Sequence, residues 1–177
     1  MTYEIKEVFK IIPIFFLLIA VLICGFIDYK TYKIPNDITL PMVVTGIGYH
    51  IYLGNIKFML VGFIISFAIG FFCWILGGFG AGDLKLMTGI GVWLGAFSFL
   101  QILFLSCLIA LIWVIADYRK QNKGNKELLK KIFNEIKYLL LFGFSKIQDN
   151  KSDLAKPIPF GACLSLATTV VVTIYII

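Results

Sequence analysis

A single histidine, four scattered cysteines and few charges each close off a class of chemistry. With only His50 available, a His-Glu-x-x-His zinc site is impossible, and no Ser-His-Asp arrangement is in view. His50 reads as a hydrogen-bonded structural residue near the end of an apolar segment. Cys24, Cys73, Cys107 and Cys163 stand singly in apolar stretches, without the Cys-x-x-Cys spacing of a metal or redox site. They read as buried thiols, and neither a metal nor a cofactor is expected. Charged residues make up only 15% of the chain, too few for an ordinary soluble domain. No internal repeat suggests the inverted halves of a transporter, and no low-complexity segment suggests a tail.

What fills the chain is apolar: 60% of its 177 residues are hydrophobic, with a mean hydropathy of +0.94. A bilayer core about 30 Å thick takes roughly 20 apolar residues per helix, so this length holds several spans and no separate soluble domain. Apolar runs lie at 11–27, 38–53, 58–77, 84–99, 101–117 and 160–177. The first follows Lys6 and Lys10 as a secretory signal would. No small-residue cleavage site follows it, so it is kept as a span. The expected fold is all-α: a polytopic membrane bundle of about six transmembrane helices with both termini outside.

The stretch 84–117 is long for one crossing and short for two, and the distribution of charge decides between them. Of sixteen Lys and Arg residues, ten lie between Arg119 and Lys156, beside only four acids. Cytoplasmic loops carry such an excess. Crossing twice, with a turn near Gly95–Ser98, puts that loop on the same side as Lys30, Lys33 and Lys85. The same location argues against nucleic acid as the reason for the net charge of +6. Within the basic loop, Leu128–Phe144 alternates apolar and basic residues at helical spacing. It reads as an interfacial helix held by its apolar face and by anionic lipid, or as a docking surface for a substrate.

Carboxylates in apolar segments are costly and require a reason. Asp117 precedes Tyr118, Arg119 and Lys120 and is explained by pairing with those cations. Asp28 ends the first run, before Ile34-Pro35-Asn36, a turn signal, and taken alone it could pair with Lys30 or Lys33. Asp83 follows Gly77-Gly78-Phe79-Gly80-Ala81-Gly82, a concentration of glycine that suggests an unwound entry to the fourth span. An extended peptide could lie against Gly80 and Gly82; the plainer alternative is a connector with a capping aspartate. Both Asp28 and Asp83 fall at the cytoplasmic end of the topology. Two carboxyls brought together in a partly dry site share one proton. The ionised member can take a proton from water as it attacks a peptide carbonyl, while the other protonates the carbonyl oxygen.

These residues resemble the motifs of type IV prepilin and preflagellin peptidases. Asp28 followed by Ile34-Pro35-Asn36 is similar to the first catalytic motif of that family. Gly80-Ala81-Gly82-Asp83 with Lys85 is similar to its Gly-x-Gly-Asp motif. Pro159-Phe160-Gly161-Ala162 resembles its Pro-Phe-Gly-Pro segment, with Ala162 in place of the second proline. The resemblance implies a single integral-membrane peptidase domain over 1–177, located in the cytoplasmic membrane with its site at the cytoplasmic face. It implies an aspartyl endopeptidase that removes the basic leader of pilin-like or archaellin-like precursors, with Asp28 and Asp83 catalytic. Gly80, Gly82, Lys85, Ile34, Pro35, Asn36, Pro159 and Gly161 would shape the site or contact substrate. Larger relatives carry paired Cys-x-x-Cys motifs in an N-terminal region and also methylate the product; those motifs are absent here, so cleavage without methylation is expected. The rival readings are an ion- or proton-coupled transporter using the same two acids near the midplane, and a structural subunit of a pilus or secretion machine.

Overall fold

The computed structural model describes residues 2–76, 79–120 and 159–176, and every element among them is a helix. These are α1 (Thr2–Thr31), α2 (Asn36–Tyr52), α3 (Ile56–Ile75), α4 (Ala81–Lys120) and α5 (Phe160–Ile176). Stretches in three of them, Ile14–Thr31, Ile56–Ile75 and Ala81–Ala116, are long and apolar enough to cross a membrane, and α5 adds a shorter apolar helix. The segment 121–158, with the amphipathic helix expected over 128–144, lies outside the described residues.

With 40 residues, α4 would reach about 60 Å if straight, twice the thickness of a bilayer core. It does not run straight. Gly95 sits at φ 76°, ψ 174°, a region open essentially to glycine alone. A Cβ there would also overlap the ring of Phe58. The contacts on either side show what the break does. Gly70 lies against Leu84 and Met87, Gly62 against Gly91, and Phe58 against Gly95, so the arm 81–94 runs antiparallel to α3. Beyond the break, Gln101 accepts a 2.8 Å hydrogen bond from Tyr175 at the far end of α5. Trp113 packs edge-on against Tyr29 of α1, with ring centroids 5.8 Å apart. The arm 96–120 therefore returns, and the reversal expected between Gly95 and Ser98 occurs at Gly95.

Close approach explains the pattern of small residues. Met59, Gly62, Ser66 and Gly70 form the buried row of α3, and a Cβ on Gly62 would overlap the Gly91 carbonyl. In lipid, where apolar side chains gain nothing by exchanging lipid for one another, such backbone contact holds helices together. The first arm of α4 is buried on all sides from Leu86 to Trp93, the mark of a central helix. Trp93 Nε1 donates to the Met42 carbonyl at 2.7 Å, fixing α2 against it. α1 packs mainly on α5, with little contact to α2 or α4. The C-termini of α1 and α3 and the N-termini of α2, α4 and α5 all meet at one end of the bundle.

Candidate active site

The buried row of α1 runs Leu17, Val21, Cys24, Asp28, so helical periodicity carries an acid into the position of the next core residue. Asp28 is only 5% exposed. It does not begin a loop, as the apolar run ending at residue 27 suggests. No proline or glycine interrupts residues 28–31, and Thr31 Oγ1 donates back to the Ile27 carbonyl at 2.8 Å. The chain leaves the helix at Tyr32, which adopts φ 53° while its N–H donates to the Asp28 carbonyl. Neither expected cation pairs with the acid: Lys30 Nζ lies 4.3 Å over the Phe26 ring instead.

The Asp28 carboxylate faces the first turn of α5. That turn starts where the Pro159 carbonyl accepts from Ala162 at 3.1 Å and from Cys163 at 3.3 Å. The Ala162 N–H also reaches Asp28 Oδ2 at 3.2 Å, and the Gly161 N–H points to the same group. Unpaired N–H groups at a helix start are a natural seat for a carboxylate. Gly161 has no side chain because there is no room for one. A Cβ there would stand 2.7 Å from Ile34 Cδ1 and 3.0 Å from Asp28 Oδ2.

Asp83 lies in the first turn of α4, so the unwound entry ends at Gly80, earlier than the glycine pattern suggests. Its Oδ2 accepts the Gly80 N–H at 3.0 Å, the return half of a capping box. The capping alternative is thus satisfied by one oxygen. The other, Oδ1, is buried without a hydrogen-bond partner among the described residues. Gly82, next to Asp83, and Gly161, beside the Asp28 carboxylate, both lie against Ile34, which brings the two acids to the same end.

The remaining motif residues surround this pair. Pro35 holds φ −71°, ψ 133° at the cap of α2, and its carbonyl accepts from Thr39. Asn36 Oδ1 accepts from Lys85 Nζ at 2.7 Å, joining two motifs 49 residues apart. Ile34 lies against Gly82, where a Cβ would stand 2.9 Å from its own Cβ. Gly80 is exposed at the rim. Phe79 and Phe160, not singled out from sequence, stack at 4.1 Å between centroids and pin α5 to the entry of α4. The signal was present in hindsight as an aromatic residue beside a glycine in both motifs.

Some expectations fall elsewhere. His50 is buried at the opposite end, where its Nε2 donates to the Trp93 carbonyl at 3.2 Å. Cys24 and Cys163 are buried as expected, Cys73 is half-buried, and Cys107 is exposed on the bundle's outer surface. The side chain of Asp117 lies outside the described residues.

Two carboxyl groups at one end of an apolar bundle, beside chain ends cleared by glycine, are suited to holding and passing one proton. A preflagellin peptidase from Methanocaldococcus jannaschii is 38% identical over 80 residues, covering 41% of this chain and 34% of the relative. The match thus spans about a third of that protein's length. No solved structure matches the chain. The profile of the Type IV leader peptidase family matches residues 15–115, which include α2, α3 and both acids. On that match, covering more than half of its length, the chain belongs to the type IV leader peptidase family.

Proposed function

We propose that the protein is a membrane aspartyl endopeptidase that removes the short basic leader from type IV pilin-like or archaellin-like precursors at the cytoplasmic membrane face. The observation that carries this reading is the convergence of Asp28 and Asp83 at one end of the bundle, each held by a helix start through backbone N–H groups. Family membership and the preflagellin peptidase relative support the same substrate class. Lys30, Lys33 and Lys85 belong to that end, which supports assigning it to the cytoplasm. With the reversal at Gly95, the path is consistent with six crossings and both termini outside.

In the proposed reaction the ionised carboxylate accepts a proton from water as its oxygen attacks the scissile carbonyl carbon. The protonated partner gives its proton to the carbonyl oxygen, forming a neutral gem-diol. Collapse breaks the carbon–nitrogen bond, the nitrogen takes a proton from the first aspartate, and a diol hydroxyl returns one to the second. The products are the leader's carboxyl terminus and a free amine on the mature protein. The protons belong to the pair, and neither aspartate needs a fixed role for the cycle to close. The chain has no Cys-x-x-Cys pair, so the new amino terminus is expected to stay unmethylated.

A proton-coupled transporter would need its acids near the membrane midplane, whereas these lie in the terminal turns of their helices. The deciding experiment incubates purified protein with a recombinant preflagellin-type precursor and reads the products by mass spectrometry. Asp28→Asn and Asp83→Asn keep shape and remove the shared proton, and each is expected to lower kcat at least a thousandfold. Full cleavage by either variant refutes the paired mechanism.

A further inference from the structure

The aspartates sit on different supports: α1 and α4 hardly touch, and α5 packs on both. Asp28 rides on α1, which packs on α5 and hardly touches α4. Asp83 rides on α4, which is braced by α2, α3 and α5. Ile34 lies against the neighbours of both acids. Its Cβ is 2.9 Å from where a Cβ on Gly82 would be, and its Cδ1 is 2.7 Å from where one on Gly161 would be. Gly82 precedes Asp83, and Gly161 abuts the carboxylate of Asp28. The Ile34 side chain is therefore the thickness of material that separates the two acid-bearing turns.

What holds Ile34 there is found two residues on. Pro35 is stiff at φ −71°, ψ 133°, so the positions of Ile34 and Asn36 are tied. Asn36 is in turn gripped by Lys85 Nζ at 2.7 Å, from two residues beyond Asp83 on α4. Hydrogen bonds from a charged donor are shorter and stronger than neutral ones. We infer that Lys85 is a positioning residue: its bond to Asn36 latches the start of α2 to α4 and seats Ile34 as the spacer that sets the separation of Asp28 and Asp83.

The inference rests on the peptidase reading for its kinetic consequence, but not for its structural one. The test is a double-mutant cycle on the full chain with Lys85→Met, Asn36→Leu and the double variant, assayed by cleavage of a recombinant preflagellin-type precursor and by thermal melting in detergent. Each single change is expected to lower kcat about tenfold with KM within twofold, less than the hundredfold cost of a 1 Å misplacement. The double variant should be no slower, and melt no lower, than the worse single one, because both remove the same bond. Lys85→Arg, which can still donate, should recover most of the rate. Ile34→Val, a conservative change that keeps the fold, should lower kcat without raising KM.

Loss with Lys85→Met but not with Asn36→Leu would mean that Lys85 acts through its charge and would overturn the latch. So would additive losses in the double variant, or a change confined to KM. Wild-type protein that melts normally yet cuts nothing defeats the peptidase reading. In that case the coupling in melting temperature still decides whether the latch exists.

Discussion

The glycines around the two acids differ in how much room they have, and this grades the effect of adding one methyl group. At Gly161 a Cβ would lie 2.7 Å from Ile34 Cδ1, 3.0 Å from Asp28 Oδ2 and 3.1 Å from Asp28 Cγ. Carbon–carbon contacts relax near 3.5–4.0 Å, so the Ile34 methyl must retreat by roughly 1 Å and the carboxylate by about half as much. Overpacking of this kind costs about 1–3 kcal/mol of stability. Moving a reacting group by up to 1 Å costs up to about a hundredfold in rate. Gly161→Ala should therefore lower kcat by about thirty- to a hundredfold while the protein still folds. At Gly82 the clash is with Ile34 Cβ alone at 2.9 Å, and the loss should be about tenfold. At Gly80 the nearest atom is Asp83 Oδ2 at 3.3 Å, which needs to yield only a few tenths of an ångström, and kcat should stay within about threefold. Gly48, with nothing within 4 Å, is the control: alanine there should leave the rate unchanged and raise the melting temperature slightly. The assay is initial-rate cleavage of the precursor by each variant, with melting measured on the same preparation. Wild-type kcat in Gly161→Ala refutes the account of how Asp28 is seated. Loss of activity in Gly80→Ala with an unchanged melt refutes the order and points to substrate backbone lying on Gly80.

Two further outcomes test the scaffold. Gly95→Ala forces an L-residue into a backbone region worth about 1–3 kcal/mol of strain and drives a methyl into the Phe58 ring, so it should lower the melting temperature by several degrees; an unchanged melt would contradict the reversal at this residue. His50→Leu removes the donor to the buried Trp93 carbonyl, a loss of about 1–3 kcal/mol, with kcat unchanged below the transition; a fall in kcat at constant stability would give His50 a role that its position at the far end does not.

Local signals in the sequence reach the two acids, the end of the bundle they share and the reversal of the long apolar run. Carboxylates in apolar segments are anomalies in themselves, and an apolar stretch of this length must turn. The continuation of α1 through Asp28 was not visible, because its stop depends on Tyr32 adopting a conformation that glycine usually takes. The seat of Asp28 is made by backbone N–H groups of α5, which carry no signature in side-chain pattern. Asn36 and Lys85 are each expected to shape the site, but only the packing of α2 on α4 makes them partners of one another. The contact of Ile34 with both motif glycines is equally tertiary: an isoleucine before proline looks like any extended residue entering a turn.

The hydrogen bond from Ala162 to Asp28 joins residues 134 apart in a chain of 177. During synthesis, α1 to α4 emerge first, and the polar stretch between α4 and α5 must follow before the seat of Asp28 exists. Until then Asp28 faces the site end without its two N–H donors, and Ile34 has nothing on its Gly161 side. Competence in this arrangement is acquired in one late step, when the last helix docks. A protein cut short before residue 160 would insert most of its helices and still lack a formed acid pair.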